Sequence, residues 1–405
     1  MKKFMKWMGA AILVPVVLVA SVAGLLYFPP FQRWAVKQAS AYASEKTGMD
    51  ISVGSVSLKF PLDLSLNDVS VVQRDSVSGA PGDTIARIGS VVADVQLKPL
   101  LKKQVVVDEL TFENAHVNTA DFIKAAHVKG DIGKLRVTNS DILLNSDENP
   151  DLSDVRLSDV LLKDANLDIV LADSVPEDTT ESDTPWRIFA EKAKIENSDV
   201  RLTMPGSIDE KTGKKGPDTH VTAHLGDATI SNGAFDLKNG TYKVGSVDID
   251  KSDLAYDVGP KPKKKKASNE LDTNHLDLKN VSLKADDISY DSNASIDKPQ
   301  LAANLKKLAF KEQSGLDVRN VSGQLSMYAG DEAKGTSGRL KLKNGKVVTS
   351  ESSFETDLDM SLDSFSDLNP GTFKGTIHAS LGKQDLMRFM GSMPAGSAKS
   401  GLTSS

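Results

Sequence analysis

For metal or nucleophilic chemistry the 405-residue chain offers six histidines, His116, His127, His220, His224, His275 and His378, and no cysteine. His220 and His224 have a spacing that holds zinc when it falls on a helix. Here Val221-Thr222-Ala223 alternates like a strand, which sets residues four apart at about 13 Å, too far for one ion. Without cysteine there are no disulfides, zinc ribbons, thiolate clusters or thiol nucleophile. No GxSxG, HExxH, P-loop or dinucleotide fingerprint occurs. Gly375 to Lys383 has P-loop-like ends, but the spacing is wrong and Gln384 stands where a Ser or Thr belongs. Acidic residues number 55, yet they occupy alternating polar positions, where a solvated strand face is the ordinary reading. The expectation is a non-enzymatic protein with no cofactor and no metal.

Charge points away from nucleic acid. The 49 Lys and Arg residues are outnumbered by the 55 Asp and Glu, and three of the cations, Lys2, Lys3 and Lys6, sit at the N-terminal tip. A hydrophobic content of 39% suffices for folded structure but is lean for thick globular cores, so a thin, extended architecture is expected.

Met8 to Phe28 (MGAAILVPVVLVASVAGLLYF) carries no charge over 21 residues. As a helix it would span about 31 Å, the thickness of a bilayer core. The preceding lysines and Trp7 predict a cytoplasmic tip at 1–7, a transmembrane helix at 8–28 and export of the rest. A cleaved signal peptide, cut after Ser21-Val22-Ala23, is the alternative, although the apolar run continues past that site to Phe28. Residues 29–48 come next as a short amphipathic helix, with Phe31, Trp34, Ala35, Ala39, Tyr42 and Ala43 near one face and Gly48 as its stop. Its expected role is to cap the apolar end of the adjoining strands, or else to lie on the membrane surface.

From Met49 the apolar period changes from 3.6 to 2. Ile51 and Val53 alternate, Gly54-Ser55 interrupts, and Val56, Leu58 and Phe60 resume in the other phase, as a bulge requires. Leu62, Leu64 and Leu66 continue until Asn67-Asp68 shifts the phase to Val69 and Val71. The same unit, alternation broken by a polar pair, recurs at Leu110 to Val117, Leu135 to Ile142, Ile195 to Val200, Ile230 to Phe235, Leu276 to Val281 and Leu340 to Gly345. Asn and Gly adopt positive φ at low cost and can bulge a strand there. Asn114, Asn139 and Asp164 are evenly spaced, but Asn197 and Asn232 are not, which argues against a propeller or strict solenoid. The prediction is a mainly β region at 49–375, a long series of antiparallel strands with few helices. Asp121 to Val128 and Gln384 to Met390 are read as short helical turns, and 376–405 as a short helix and flexible tail. Asp173 to Thr184 and Gly259 to Glu270, acidic and basic respectively, are read as solvated loops.

Val91 to Asn118 (VVADVQLKPLLKKQVVVDELTFENAHVN) resembles the AsmA-like signature through Leu97, Pro99, Leu100, Leu101, Val105 to Val107, Leu110, Phe112 and Asn114. The N-terminal anchor together with Phe31 to Phe60 and Leu62 to Val71 is similar to the start of AsmA and TamB family proteins. Thr184-Pro185-Trp186-Arg187-Ile188 leading into KIENSDVRL is similar too. The resemblance implies an inner-membrane protein extending an elongated, curled β-sheet into the periplasm, with an apolar groove associated with phospholipid movement toward the outer membrane. The TamB branch is also linked to outer-membrane protein assembly with a BamA-like partner. TamB-type members continue into a C-terminal domain, whereas this sequence closes on Pro394 to Ser405, so it resembles a fragment or short member.

A sheet with one apolar face and few helices must pair with a second sheet or leave a trough that acyl chains can fill. The candidate groove residues are Val105, Val107, Leu110, Phe112, Leu135, Val137, Ile195, Ile230, Leu276, Leu278, Leu340 and Leu342. Ordinary sandwich core is the alternative for each, because both architectures share the same period. A second functional expectation is a scaffold that offers strand edges to partner proteins.

Overall fold

The computed structural model describes residues 37, 40, 41, 44, 49–59, 63–74, 81–96, 104–119, 126–143, 153–172, 186–206, 208, 213–236, 239–259, 272, 274–331, 336–364 and 369–385. The expected cytoplasmic tip and transmembrane helix lie outside them. Among the described residues no helix is long and apolar enough to cross a membrane.

Fifteen strands form one sheet in chain order. They are β1 (Met49–Lys59), β2 (Asp63–Arg74), β3 (Pro81–Val95), β4 (Gln104–Asn118), β5 (Ala126–Leu143), β6 (Ser153–Leu171), β7 (Trp186–Met204), β8 (Thr219–Asp236), β9 (Thr241–Val258), β10 (His275–Asp291), β11 (Leu301–Glu312), β12 (Asp317–Asp331), β13 (Thr336–Thr349), β14 (Ser353–Ser364) and β15 (Asn369–Ser380). The sheet is open and curled, with β1 and β15 as its edges. Lys37, Ser40, Ala41 and Ser44 are helical and lie beside β1, where Ser44 Oγ accepts the Ile51 N–H at 3.0 Å.

Pairing departs from the expected uniform antiparallel order at one described junction: β6 and β7 are parallel, with a constant offset from Ser153 opposite Trp186 to Val170 opposite Thr203. Alternation cannot reveal this, since a strand reads the same in either direction; a parallel pair needs a long crossover, and the acidic stretch 173–184 falls in that connection. Polar pairs hold the register. Asp154 accepts from Arg187 at 2.8 and 3.0 Å, Asp164 from Asn197 at 2.6 Å, and Asp168 from Arg201.

Three further expectations are corrected or bounded. Ala126–Val128 belongs to β5 rather than to a helical turn, because His127 and Val128 alternate in register with Val170 and Ile169. β15 extends to Ser380, past the expected boundary at 375, because Thr376 to Ser380 pairs with Asp357 to Ser353. Lys383–Asp385 is helical, and 386–405 lies outside the described residues.

The phase-shifting residues are bulges. Asp68, Asn114, Asn139, Asp164, Asn197, Asn232, Asn280 and Asn344 all have φ between 44° and 55°, as do Lys251 and Asp287 at 51° and 52°. Opposite several of them stands a glycine. An added Cβ would lie 2.9 Å from the Asp68 Cβ at Gly54, 2.8 Å from the Asp164 Cβ at Gly133 and 2.9 Å from the Asn232 Cβ at Gly245. A side chain of left-handed geometry leans into its neighbour, and only glycine leaves room.

The register joins these positions into a crease across the sheet. Asp68 lies between the paired positions Asn67/Ser90 and Val69/Ile88, facing Gly89, which in turn faces Asn114, then Gly133, then Asp164. At most of the bulges the residue that follows is buried: Val69 is 8% exposed, Ala115 6%, Ser140 4%, Ala165 2%, Ser198 0% and Ser252 2%. Where that residue is serine, its hydroxyl donates to the carbonyl two residues back: Ser140 to Thr138 at 3.0 Å, Ser198 to Glu196 at 2.8 Å, Ser252 to Asp250 at 2.9 Å. Ser198 also accepts the Ala165 N–H at 3.1 Å, and Ser252 the Gly226 N–H at 3.2 Å. The bulge orphans ladder groups and the serine satisfies them.

Candidate functional site

Each bulge resets the alternation so that apolar residues stay on one face. In β6, Val155, Leu157, Val160, Leu162, Ala165, Leu167 and Ile169 step by two except for two steps of three, and those steps span Ser158 and Asp164. β7 repeats the steps as Ile188, Ala190, Ala193, Ile195, Ser198, Val200 and Leu202, so the parallel register sets like residues side by side.

Pairing then builds continuous apolar rows. One runs Val56, Leu66, Val91, Phe112, Leu135, Leu162, Ile195, Ala228, Ile249, Leu283, Leu308, one residue from each strand β1 to β11. Beside it runs Leu64, Ala93, Leu110, Val137, Val160, Ala193, Ile230, Val247, Ala285, Leu305. Two candidate sets therefore meet: Phe112, Leu135 and Ile195 share the first row, and Leu110, Val137 and Ile230 the second.

The remaining candidates are spread farther. Leu278 pairs with Leu254 and Leu276 with Tyr256, in rows toward one margin. Val105 is opposite Ile142 in a row that continues through Val155, Ile188, Phe235, Tyr242, Tyr290, Leu301 and Met327 to Leu340 near the other margin. Val107 is opposite Ser140, and Leu342 between Leu325 and Leu358. Within the long marginal row the rings of Tyr242 and Tyr290 stack with centroids 5.8 Å apart, and Phe235 is tilted against Tyr242 at 6.3 Å.

Proximity to the Asn motifs does not single out Leu162 and Val160 of β6, or Ile249 and Val247 of β9, which belong to the same rows. Their signal lies in the alternation itself, but β9 bulges at Lys251, a residue type that gives no local warning.

The face has no second layer among the described residues. The buried apolar side chains of the described residues are five alanines, four valines and Leu316 in the β11–β12 connection, whereas Phe112, Leu135, Leu162 and Ile195 are only half-buried. In a sandwich the large residues of the inner face would be the buried ones.

The other face is polar and ionic. Glu113, Lys134, Lys163, Glu196 and Asp227 form a row in register. Lys134 Nζ lies 3.0 Å from Glu113, and Lys194 Nζ lies 2.7 Å from Glu196 and 3.5 Å from Asp227. The hydrogen bond from Lys194 holds the Glu196 carboxyl below its ordinary value, and Arg201 and Arg339 do the same for Asp168 and Asp359. His220 and His224 both lie in β8, a strand as expected. His224 Nδ1 is 2.9 Å from Asp199, and His220 Nδ1 is 3.1 Å from Thr203 Oγ1.

These parts define a single-layer, groove-like β-sheet with a continuous apolar face and an ion-paired back. No protein-family model matches the chain, and no curated protein matches it.

Proposed function

We propose that the protein is a non-catalytic, inner-membrane-anchored periplasmic protein whose apolar face binds phospholipid acyl chains and supports lipid transport to, or integrity of, the outer membrane. The observation that carries this reading is the unbroken row from Val56 to Leu308 on a sheet with no second layer among the described residues. Half-buried Leu, Ile and Phe side chains in such a row lose contact with water only if something apolar lies on them. Each methylene buried there contributes about 0.8 kcal/mol, and the uniformity of the row along the sheet lets a chain slide without a deep trap. The uncharged run at 8–28 and the resemblance of Val91 to Asn118 to the AsmA-like signature support the membrane location.

Photo-crosslinking in cells tests it, with the reactive side chain at Phe112 and, on the opposite face, at Glu113. Phospholipid attached at Phe112 and not at Glu113 is expected. Lipid at neither position in folded protein would sink the reading.

A second reading, a TamB-like scaffold for outer-membrane protein assembly with a BamA-like partner, is favoured by the β15 edge. Lys374 to Leu381 are all exposed there, with Ile377 at 58% and Leu381 at 50%. An unpaired edge offers backbone donors and acceptors to an added strand. Thr376→Pro would impair assembly on this reading and leave lipid capture at Phe112 unchanged.

A further inference from the structure

A cavity of about 590 Å³ lies between the helical residues and the β1–β2 edge of the sheet. Lys37, Ser40, Ala41 and Ser44 have helical spacing and so present one face to β1, and the hydrogen bond from the Ile51 N–H to Ser44 Oγ fixes that face against the strand. Ser44 is only 7% exposed, so the contact is a packed one. On the sheet side Ile51, Val53 and Val56 supply the apolar part of the wall, interleaved with Ser52, Gly54 and Ser55.

Two of those residues head rows of the trough: Val53 pairs with Val69, which pairs with Ile88, and Val56 pairs with Leu66, which pairs with Val91. The rim is cationic and hydroxylic. Lys37 and Arg74 line it with Ser40, and no acidic residue is among the described lining residues. Arg74 is paired with Asp50 outside that lining, which leaves Lys37 as the uncompensated charge of the described wall.

We propose that this cavity is a head-group subsite for an anionic amphiphile, a phosphate or carboxylate head held at Lys37 with its apolar tail directed along Val53 and Val56 into the trough. The inference rests on the acyl-chain reading of the apolar face and adds the charge of the ligand and its point of entry. The volume suits a head group and the start of a chain rather than a whole phospholipid. A lysine against a phosphate in a partly apolar wall gives a charge-assisted hydrogen bond that a zwitterionic head, carrying its own cation, uses less well.

The test uses the full chain reconstituted in vesicles equimolar in phosphatidylglycerol and phosphatidylcholine, with a photo-reactive side chain at Ala41 or at Phe112. Capture at Ala41 should favour phosphatidylglycerol by about tenfold. Lys37→Met should reduce that bias and Lys37→Glu abolish it, with capture at Phe112 unaltered in either variant. Equal capture of the two lipids at Ala41, an undiminished bias in Lys37→Glu, or loss of the Ala41 product on adding inorganic phosphate would overturn the proposal; the last would mark a free-phosphate site. Lipid at Phe112 with none at Ala41 removes the subsite and keeps the trough. Lipid at neither removes both.

Discussion

The two faces of this sheet obey the same backbone geometry and are stabilised by different means. On the ionic face, charges of opposite sign meet across strands: Glu113 with Lys134, Asp168 with Arg201, Asp359 with Arg339. Each pair is solvated, so its loss is tolerated. On the apolar face the large side chains gain little from one another. The tightly packed atoms are instead at the creases, where Ala165 and Ser198 are 2% and 0% exposed. The difference teaches that the described sheet has no thick core. Its stability resides in the ladders and the creases rather than in burial of the large apolar side chains.

The strongest break in that comparison is at a crease. Gly226→Val should destabilise by about 3 kcal/mol or more, because even a Cβ there would lie 2.3 Å from the Lys251 carbonyl oxygen. Urea unfolding measures it, and a loss below about 1 kcal/mol would show that the crease is soft. Ser198→Ala comes next. It leaves the Ala165 N–H and the Glu196 carbonyl without their hydroxyl partner, and a cost of about 1–3 kcal/mol is expected by the same measurement.

Phe112→Asp should shift the unfolding midpoint far less than either, since the side chain is only half-buried, yet remove lipid capture at the neighbouring Leu135. A folded Phe112→Asp protein that retains lipid would break the assignment of function to the apolar face.

The smallest effect is on the ionic face. Glu196→Gln should leave the midpoint at pH 7 nearly unchanged, because exposed pairs contribute little. The pH dependence has a definite sign. Asp168, Glu196 and Asp359 have folded values held below the unfolded ones by hydrogen bonds from Arg201, Lys194 and Arg339. Their contribution is complete above the ordinary carboxylate range of about 3.9 to 4.3 and is lost as pH falls through the depressed folded values. A midpoint constant from about pH 7 to 5 and falling below about pH 4 is expected, with a shallower fall in Glu196→Gln. A fall already complete at about pH 5 would rule those pairs out as its source.

Much of the local structure was legible in the chain. Strands and phase shifts could be placed at Asn114, Asn139, Asp164 and Asn197 because left-handed backbone favours Asn and Asp and because alternation is a local signal. The bulge at Lys251 was not legible in the same way. Lysine gives no such hint, and its conformation is held by the facing strand, where Gly226 stands against the Lys251 carbonyl. Of the candidate groove, Phe112, Leu135 and Ile195 could be named singly, but nothing local said that they share a row.

By itself the sequence determined most of the residues that extend, where most strands bulge and which side chains share a face, since all three depend on chemistry within a few residues. Only the tertiary structure decided which strands are neighbours, that β7 runs parallel to β6, that glycines face the bulges, and that the described strands leave the apolar face without a second sheet. An inward face has period two whether it meets another sheet or a ligand, so that last choice is written in how the layers meet and not in the alternation.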